Sequence, residues 1–162
     1  MQKNTNSLLW LWLSVLIIVL DQISKLLVLH FITFNQPIAI TPFFNLILAH
    51  NPGAAFNFMA QQGGWQGWLF GIIAVLVSAF LIRWLYKLPR AQVWLAIALA
   101  LIIGGALGNL CDRVTHGYVI DFLDFYIGNW HWPAFNLADS AISVGAVMLI
   151  VDAIKNRDKY EN

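Results

Sequence analysis

The sequence predicts a membrane-embedded all-α bundle of four transmembrane helices, with two irregular segments on one side, and three observations carry that prediction. Hydrophobic residues make up 60% of the 162 positions and charged residues 10%, a balance that does not suit a soluble domain of this length. Four apolar stretches, at about 8–29, 67–86, 91–110 and 135–154, reach the roughly 20 residues a helix needs to cross hydrocarbon. Positive charge gathers on one side of those spans, as orientation in a membrane requires. Length alone argues for one domain covering residues 1–162.

The first span has the length of a signal peptide. No small-x-small site follows it, however, and Asp21 and Lys25 continue the helical stretch, so a retained span is expected. These two residues are four apart and share a helix face, roughly 20–25 Å of rise beyond Leu8. The first outer segment, 30–66, is broken by Pro37, Pro42 and Pro52. Its pieces at 37–40 and 45–49 suit short strands, and Asn51-Pro52-Gly53 is a turn signal. The apolar, aromatic run 54–60 reads as a segment lying in the interface, with Trp65 and Trp68 at headgroup level beyond it.

Span two meets span three through a short turn at Leu88-Pro89-Arg90. In span three, Gly104, Gly105 and Gly108 include a Gly-x-x-x-Gly spacing, which close helix packing explains. Asn109, Asp112 and Arg113 form a polar bracket at its outer end. The second outer segment, 111–134, interleaves Asp112, Arg113, His116, Asp121, Asp124 and His131 with apolar residues, as a strand or loop half-buried at the interface would. Asp139 falls about one turn into span four with Asn136 as a plausible cap, and residues 158–162 read as a frayed tail.

Lys3, Arg83, Lys87, Arg90, Lys155, Arg157 and Lys159 lie at one set of helix ends, and segment 30–66 holds no Lys or Arg. Both termini are therefore expected in the cytoplasm and both outer segments outside. A net charge of +1 gives no reason to expect a nucleic-acid partner. The single Cys111 excludes an intrachain disulfide, and nothing demands more than a monomer.

Two aspartates, Asp121 and Asp139, carry the candidate chemistry, because a carboxylate near hydrocarbon is costly and usually kept for function. Taken singly, each has a bland reading: Asp139 answers the helix dipole, and Asp121 is a solvated loop charge. Together they suit an acid–base pair in which one member keeps a proton. Such a pair needs neither a metal nor a cofactor. Asp124 competes with Asp121 for the role. An Asp21–Lys25 ion pair is expected to brace helix one rather than react. Ser24 beside Lys25 is a weak serine–lysine candidate, since adjacent helical residues point apart. The four His lack the His-Glu-x-x-His pattern of a zinc protease, and Cys111 with His116 is only a conceivable thiol pair. A proton-coupled transporter is the rival class, but it would distribute its charges across the bilayer instead of gathering them at one edge.

Five blocks in order then match a known family: Asp21-Gln22-Ile23-Ser24-Lys25, Asn51-Pro52-Gly53-Ala54-Ala55-Phe56, Gly104 through Arg113, Gly117 through Phe122, and Phe135-Asn136-Leu137-Ala138-Asp139-Ser140. Across its whole length the chain resembles the bacterial lipoprotein signal peptidases, the type II signal peptidases. Ser24 stands where Thr is more usual, a change that keeps the hydroxyl. The resemblance implies an aspartyl endopeptidase of the inner membrane that cuts lipidated prolipoproteins just before the diacylglyceryl cysteine. It also implies Asp121 and Asp139 as the dyad, and Asn51, Gly105, Asn109, Arg113 and Asn136 as residues that line or brace the site. Asp21 and Lys25 become supports. Segment 30–66 is expected to form a small β-cradle and an interfacial helix around the substrate, within reach of membrane lipids.

Overall fold

A computed structural model of the protein describes residues 7–53 and 65–156, with Trp65 and Gln66 described through their backbone only. The expected interfacial helix at 54–60, the 158–162 tail and the charges Lys3, Arg157 and Lys159 lie outside the described residues.

Four long helices and four strands follow one another along the chain. After a 3₁₀ turn at Leu8–Trp10 come α1 (Leu11–Phe31), β1 (Ile38–Thr41), β2 (Phe44–Asn51), α2 (Trp65–Lys87), α3 (Val93–His116), β3 (Val119–Ile127), β4 (Trp130–His131) and α4 (Leu137–Lys155). All four helices are long and apolar enough to cross a membrane. The central one is α3, with 56% of its most apolar stretch buried against 17–22% in the other three. Leu81 and Leu85 of α2 pack on Leu95, Leu99 and Ile103 of α3. Ser14 of α1 donates to the Ala100 carbonyl at 2.7 Å, the kind of polar fastening that holds helices together in lipid.

The α3 helix departs from expectation. Hydropathy ends the third span near residue 110, yet the helix continues to His116, so Cys111–His116 are helical where a strand or loop is expected. The run of Cys, Asp and Arg interrupts hydropathy but not helix geometry, because Asp112 is fully buried against a lysine and Arg113 lies along Phe70. Gly117 then stops the helix in the left-handed conformation (φ 81°), which glycine adopts without penalty.

The strands form one antiparallel sheet ordered β1-β2-β3-β4. The expected pieces at 37–40 and 45–49 are β1 and β2. The second outer segment supplies β3, which pairs with β2 so that Ala49 faces Asp121 and Asn51 faces Val119. Val28 and Ile32 of α1 pack with Leu48, Ile120 and Phe122, which seats the sheet on the end of α1 and lowers β3 onto the helix ends.

Candidate active site

Asp121 and Asp139 converge from β3 and from the first turn of α4, which an antiparallel bridge between Leu123 and Phe135 ties together. Asp121 lies on β3 and is 2% exposed. Asp139 is the third residue of α4, where Asn136 caps the helix: the Asn136 side chain accepts the Asp139 N–H at 2.9 Å, and Asp139 Oδ2 accepts the Asn136 N–H at 3.3 Å. This reciprocal pair satisfies two of the donors that a helix N-terminus leaves free. The cap is thus part of the site.

Three asparagine amides hold the two carboxylates. Asn136 Nδ2 donates to Asp121 Oδ1 at 2.7 Å, and Asn51 Nδ2 to Asp121 Oδ2 at 3.0 Å. Asn109 Nδ2 donates to Asp139 Oδ1 at 2.7 Å. Each amide is oriented by a partner at its oxygen. The Gly53 N–H reaches Asn51 Oδ1 at 2.9 Å, inside the Asn-Pro-Gly turn. Lys25 Nζ reaches Asn109 Oδ1 at 2.9 Å, and the Asp139 N–H holds Asn136. The acceptors therefore face the amides by construction.

Burial pushes the Asp121 carboxyl up from its ordinary 3.8 to about 7; the nearby charge of Asp139 adds to the rise, while the bonds from Asn51 and Asn136 and the charge of Lys25 oppose it. A carboxyl that titrates near neutrality beside a second carboxylate is the environment of an acid–base dyad.

Below the dyad lies a buried ionic cluster. Lys25, 1% exposed, contacts Asp21 Oδ2 and Asp112 Oδ2, each at 2.8 Å. With Asn109 as the third acceptor, all three ammonium protons are used. Gly108 allows this approach, since a Cβ there would stand 2.9 Å from Asp21 Oδ2. Gly105 faces α4, where a Cβ would press into the Ala138 carbonyl, so it braces the site through helix contact. Gly104 faces Ser14 and Ile17 of α1 in the same way.

Arg113 stands apart from this cluster. Its Nη1 donates to the Asn109 carbonyl at 3.2 Å, and its guanidinium carbon lies 5.6 Å from the Phe70 ring centroid. Its buried Nε has no hydrogen-bond partner among the described residues, and both Asp121 and Asp139 lie within its electrostatic reach. It lines a cavity of about 540 Å³ between α2 and α3, walled by Trp68, Ile72, Leu76 and Leu110.

The competing candidates have other partners. Asp124 is three positions from Asp121 on one strand, so the two side chains point to opposite faces. It bonds Asn45 at 2.8 Å and His131 at 2.8 Å, away from the dyad. Ser24 donates to the Asp21 carbonyl at 2.7 Å while Lys25 is fully engaged elsewhere, so no serine–lysine pair forms. His116 meets Thr115 at 2.7 Å. Sequence reasoning missed the weight of Asp112 and of Gln22, whose amide spans the ionic cluster from Asp112 Oδ1 (2.8 Å) to Asp21 Oδ2 (3.3 Å). A usable signal was present, since Gly105, Gly108, Asn109 and Asp112 recur at three- and four-residue steps along one helix face.

Comparison with known proteins agrees with this architecture. The family model described as signal peptidase (SPase) II matches residues 13–155. The chain is 55% identical over 154 residues to a lipoprotein signal peptidase of Alteromonas mediterranea, covering 95% of this chain and 85% of that one. It is 53% identical to one of Aeromonas hydrophila, covering 99% and 97%. A bacterial membrane enzyme solved by the in meso method at 2.3 Å superposes with a TM-score of 0.83 at 25% identity, covering 98% of this chain and 96% of that one.

Proposed function

The chain belongs to the signal peptidase II family, and from that premise we propose that it is an aspartic endopeptidase acting on diacylglyceryl-modified prolipoproteins and cutting just before the lipidated cysteine. The observation that carries the mechanism is the pair Asp121 and Asp139, held by three asparagines from the end of β2, from α3 and from the cap of α4.

With one proton on the pair, the ionised carboxylate takes a proton from water as that water attacks the scissile carbonyl. The protonated carboxyl donates to the carbonyl oxygen, and a proton then passes to the leaving amine. Each proton transfer in this scheme is handled by the dyad itself. Arg113, with a buried donor left over, is suited to a carbonyl of the substrate. The apolar cavity beside it suits acyl chains that enter from the bilayer. Arg83, Lys87, Arg90 and Lys155 lie at the helix ends opposite the dyad, which supports cytoplasmic termini, a site facing the periplasm, and a multi-pass protein of the inner membrane. Asp21, Asp112, Asp121, Asp124 and Asp139 gather at one end, and among the described residues only Asp152 lies at the other, which argues against a transport path. A single copy carries every group the reaction uses, so we assign a monomer.

Purified protein in lipid is expected to cleave a diacylglyceryl prolipoprotein with EDTA present and to leave the unmodified precursor intact. Failure on the lipidated substrate in every lipid and detergent tried would refute the reading.

The pH dependence has a definite sign. Asp121 is protonated below about 7 and ionised above it, so raising the pH strips the dyad of its one proton. The profile of kcat/KM should be bell-shaped, with its alkaline limb near neutrality. The Asn51 bond favours ionised Asp121, and Asn51→Ala should move that limb to higher pH. A rate flat from roughly pH 4 to 9 would count against a coupled pair.

A further inference from the structure

The two carboxylates that neutralise Lys25 have a second task in common. Asp21 Oδ1 accepts the backbone N–H of Ala138 at 3.0 Å, and Asp112 Oδ2 accepts the backbone N–H of Ile120 at 3.0 Å. Ala138 immediately precedes Asp139, and Ile120 immediately precedes Asp121. Each arm of the Asp21–Lys25–Asp112 bridge therefore grips the chain one residue before one member of the dyad. Asp21, Lys25 and Asp112 are 0–1% exposed, and Gln22 ties the carboxylates to each other. The third Lys25 proton orients the Asn109 amide that holds Asp139.

We infer that Asp112, with Asp21 and through Lys25, is a positioning residue that sets the spacing of Asp121 and Asp139 by holding β3 and α4 at a fixed separation across α1 and α3. The inference rests on the peptidase reading and adds Asp112 to it. Hydrogen bonds to an ionised acceptor are the short, strong kind, and a packed ionic cluster has little freedom to lengthen. Without the grip, Ile120 N–H is a buried donor with no partner, and the stretch of β3 that carries Asp121 is left to its pairing with β2 and to its bonds with Phe135 and Asn136. Neutralising either carboxylate still leaves Lys25 paired one-to-one with the other, so these variants should fold.

The geometry predicts an asymmetry that a general loss of stability would not produce. In Asp112 one oxygen, Oδ2, serves both Lys25 and Ile120, while Oδ1 meets only Gln22. An asparagine can keep its oxygen at that point and gives up only the bond from Gln22, whose amide still has Asp21 and the Gly108 carbonyl as acceptors. In Asp21 the duties are divided, with Oδ1 on Ala138 and Oδ2 on Lys25. An asparagine there must lose one of them.

The test compares Asp112→Ala, Asp112→Asn, Asp21→Ala and Asp21→Asn with wild type on a diacylglyceryl prolipoprotein, with rates normalised to folded protein. Both alanine variants should lower kcat on the order of a hundredfold, the effect of a displacement of about 1 Å at a reacting centre, with KM little changed. Asp112→Asn should recover most of that loss and Asp21→Asn should not. Infrared titration of the Asp121 carboxyl, identified by difference against Asp121→Asn, gives a readout without turnover. Its midpoint should move in Asp112→Ala and return in Asp112→Asn. Folded Asp112→Ala with wild-type kcat and an unmoved midpoint would overturn the inference, as would equal behaviour of the two asparagine variants. If wild type itself fails to cut, the peptidase reading falls, and the infrared titration still decides whether Asp112 governs the dyad.

Discussion

Asp121→Asn and Asp139→Asn are each expected to abolish cleavage while leaving the protein folded. Acid–base groups in place contribute about 10²–10⁴ to a rate, and a dyad acts as a unit, so removal of either member should cost nearly the whole of that contribution. Stability should respond in the opposite sense at Asp121. Its carboxyl is held near 7, above its ordinary 3.8, chiefly by burial. A group with a raised pKa binds its proton more tightly in the folded chain, so it destabilises the fold progressively as pH rises from about 4 to about 7, and fully above that. The amide introduced by Asp121→Asn carries no charge to bury. That variant should therefore melt at or above the wild-type temperature at pH 8 while its kcat falls roughly a thousandfold or more. Asp124→Asn is the matched control, since Asp124 is bonded to Asn45 and His131 on the other face of β3. Cleavage retained by either dyad variant would move the chemistry to other residues.

Much of this arrangement is legible in the amino-acid sequence, and the reasons are local. The i, i+4 step from Asp21 to Lys25 and the three-residue step from Asn136 to Asp139 are contacts that helix geometry imposes. The four spans follow from hydropathy, and the Asn51 turn follows from its Pro-Gly successor. What stayed hidden depends on partners far away in sequence. Asp112 meets Lys25 from the far end of another helix, so its charge reads as the end of a membrane span until the lysine is in view. The registration of β2 on β3, which brings Asn51 to Asp121, is set by seating on α1 and has no signature in either strand alone. The same is true of Asp124: only once residues 119–127 are known to be one strand does its offset of three from Asp121 turn it to the other face.

Lys25→Ala should act first on folding. It strands Asp21 and Asp112, each 0% exposed, as two carboxylates on adjoining helices with no cation between them. Breaking a buried ion pair by removing one partner costs about 3–5 kcal/mol, and here a single ammonium serves two anions, so the upper part of that range applies. Against a total stability of roughly 5–15 kcal/mol, folded yield should collapse in proportion. A combined variant separates this cost from positioning. Lys25→Ala with Asp21→Asn and Asp112→Asn leaves no stranded charge, and well-packed neutral replacements of buried ionic groups are often tolerated, so yield should return. Turnover per folded molecule should not return. Asn109 loses the charged one of the two donors that orient its amide toward Asp139, keeping only Asn136, and the grips on Ala138 and Ile120 lose the charge that tightens them. Recovery of both yield and rate in the combined variant would mean that the lysine serves the fold alone. Normal yield with abolished turnover in Lys25→Ala itself would instead give the ammonium a direct part in the chemistry.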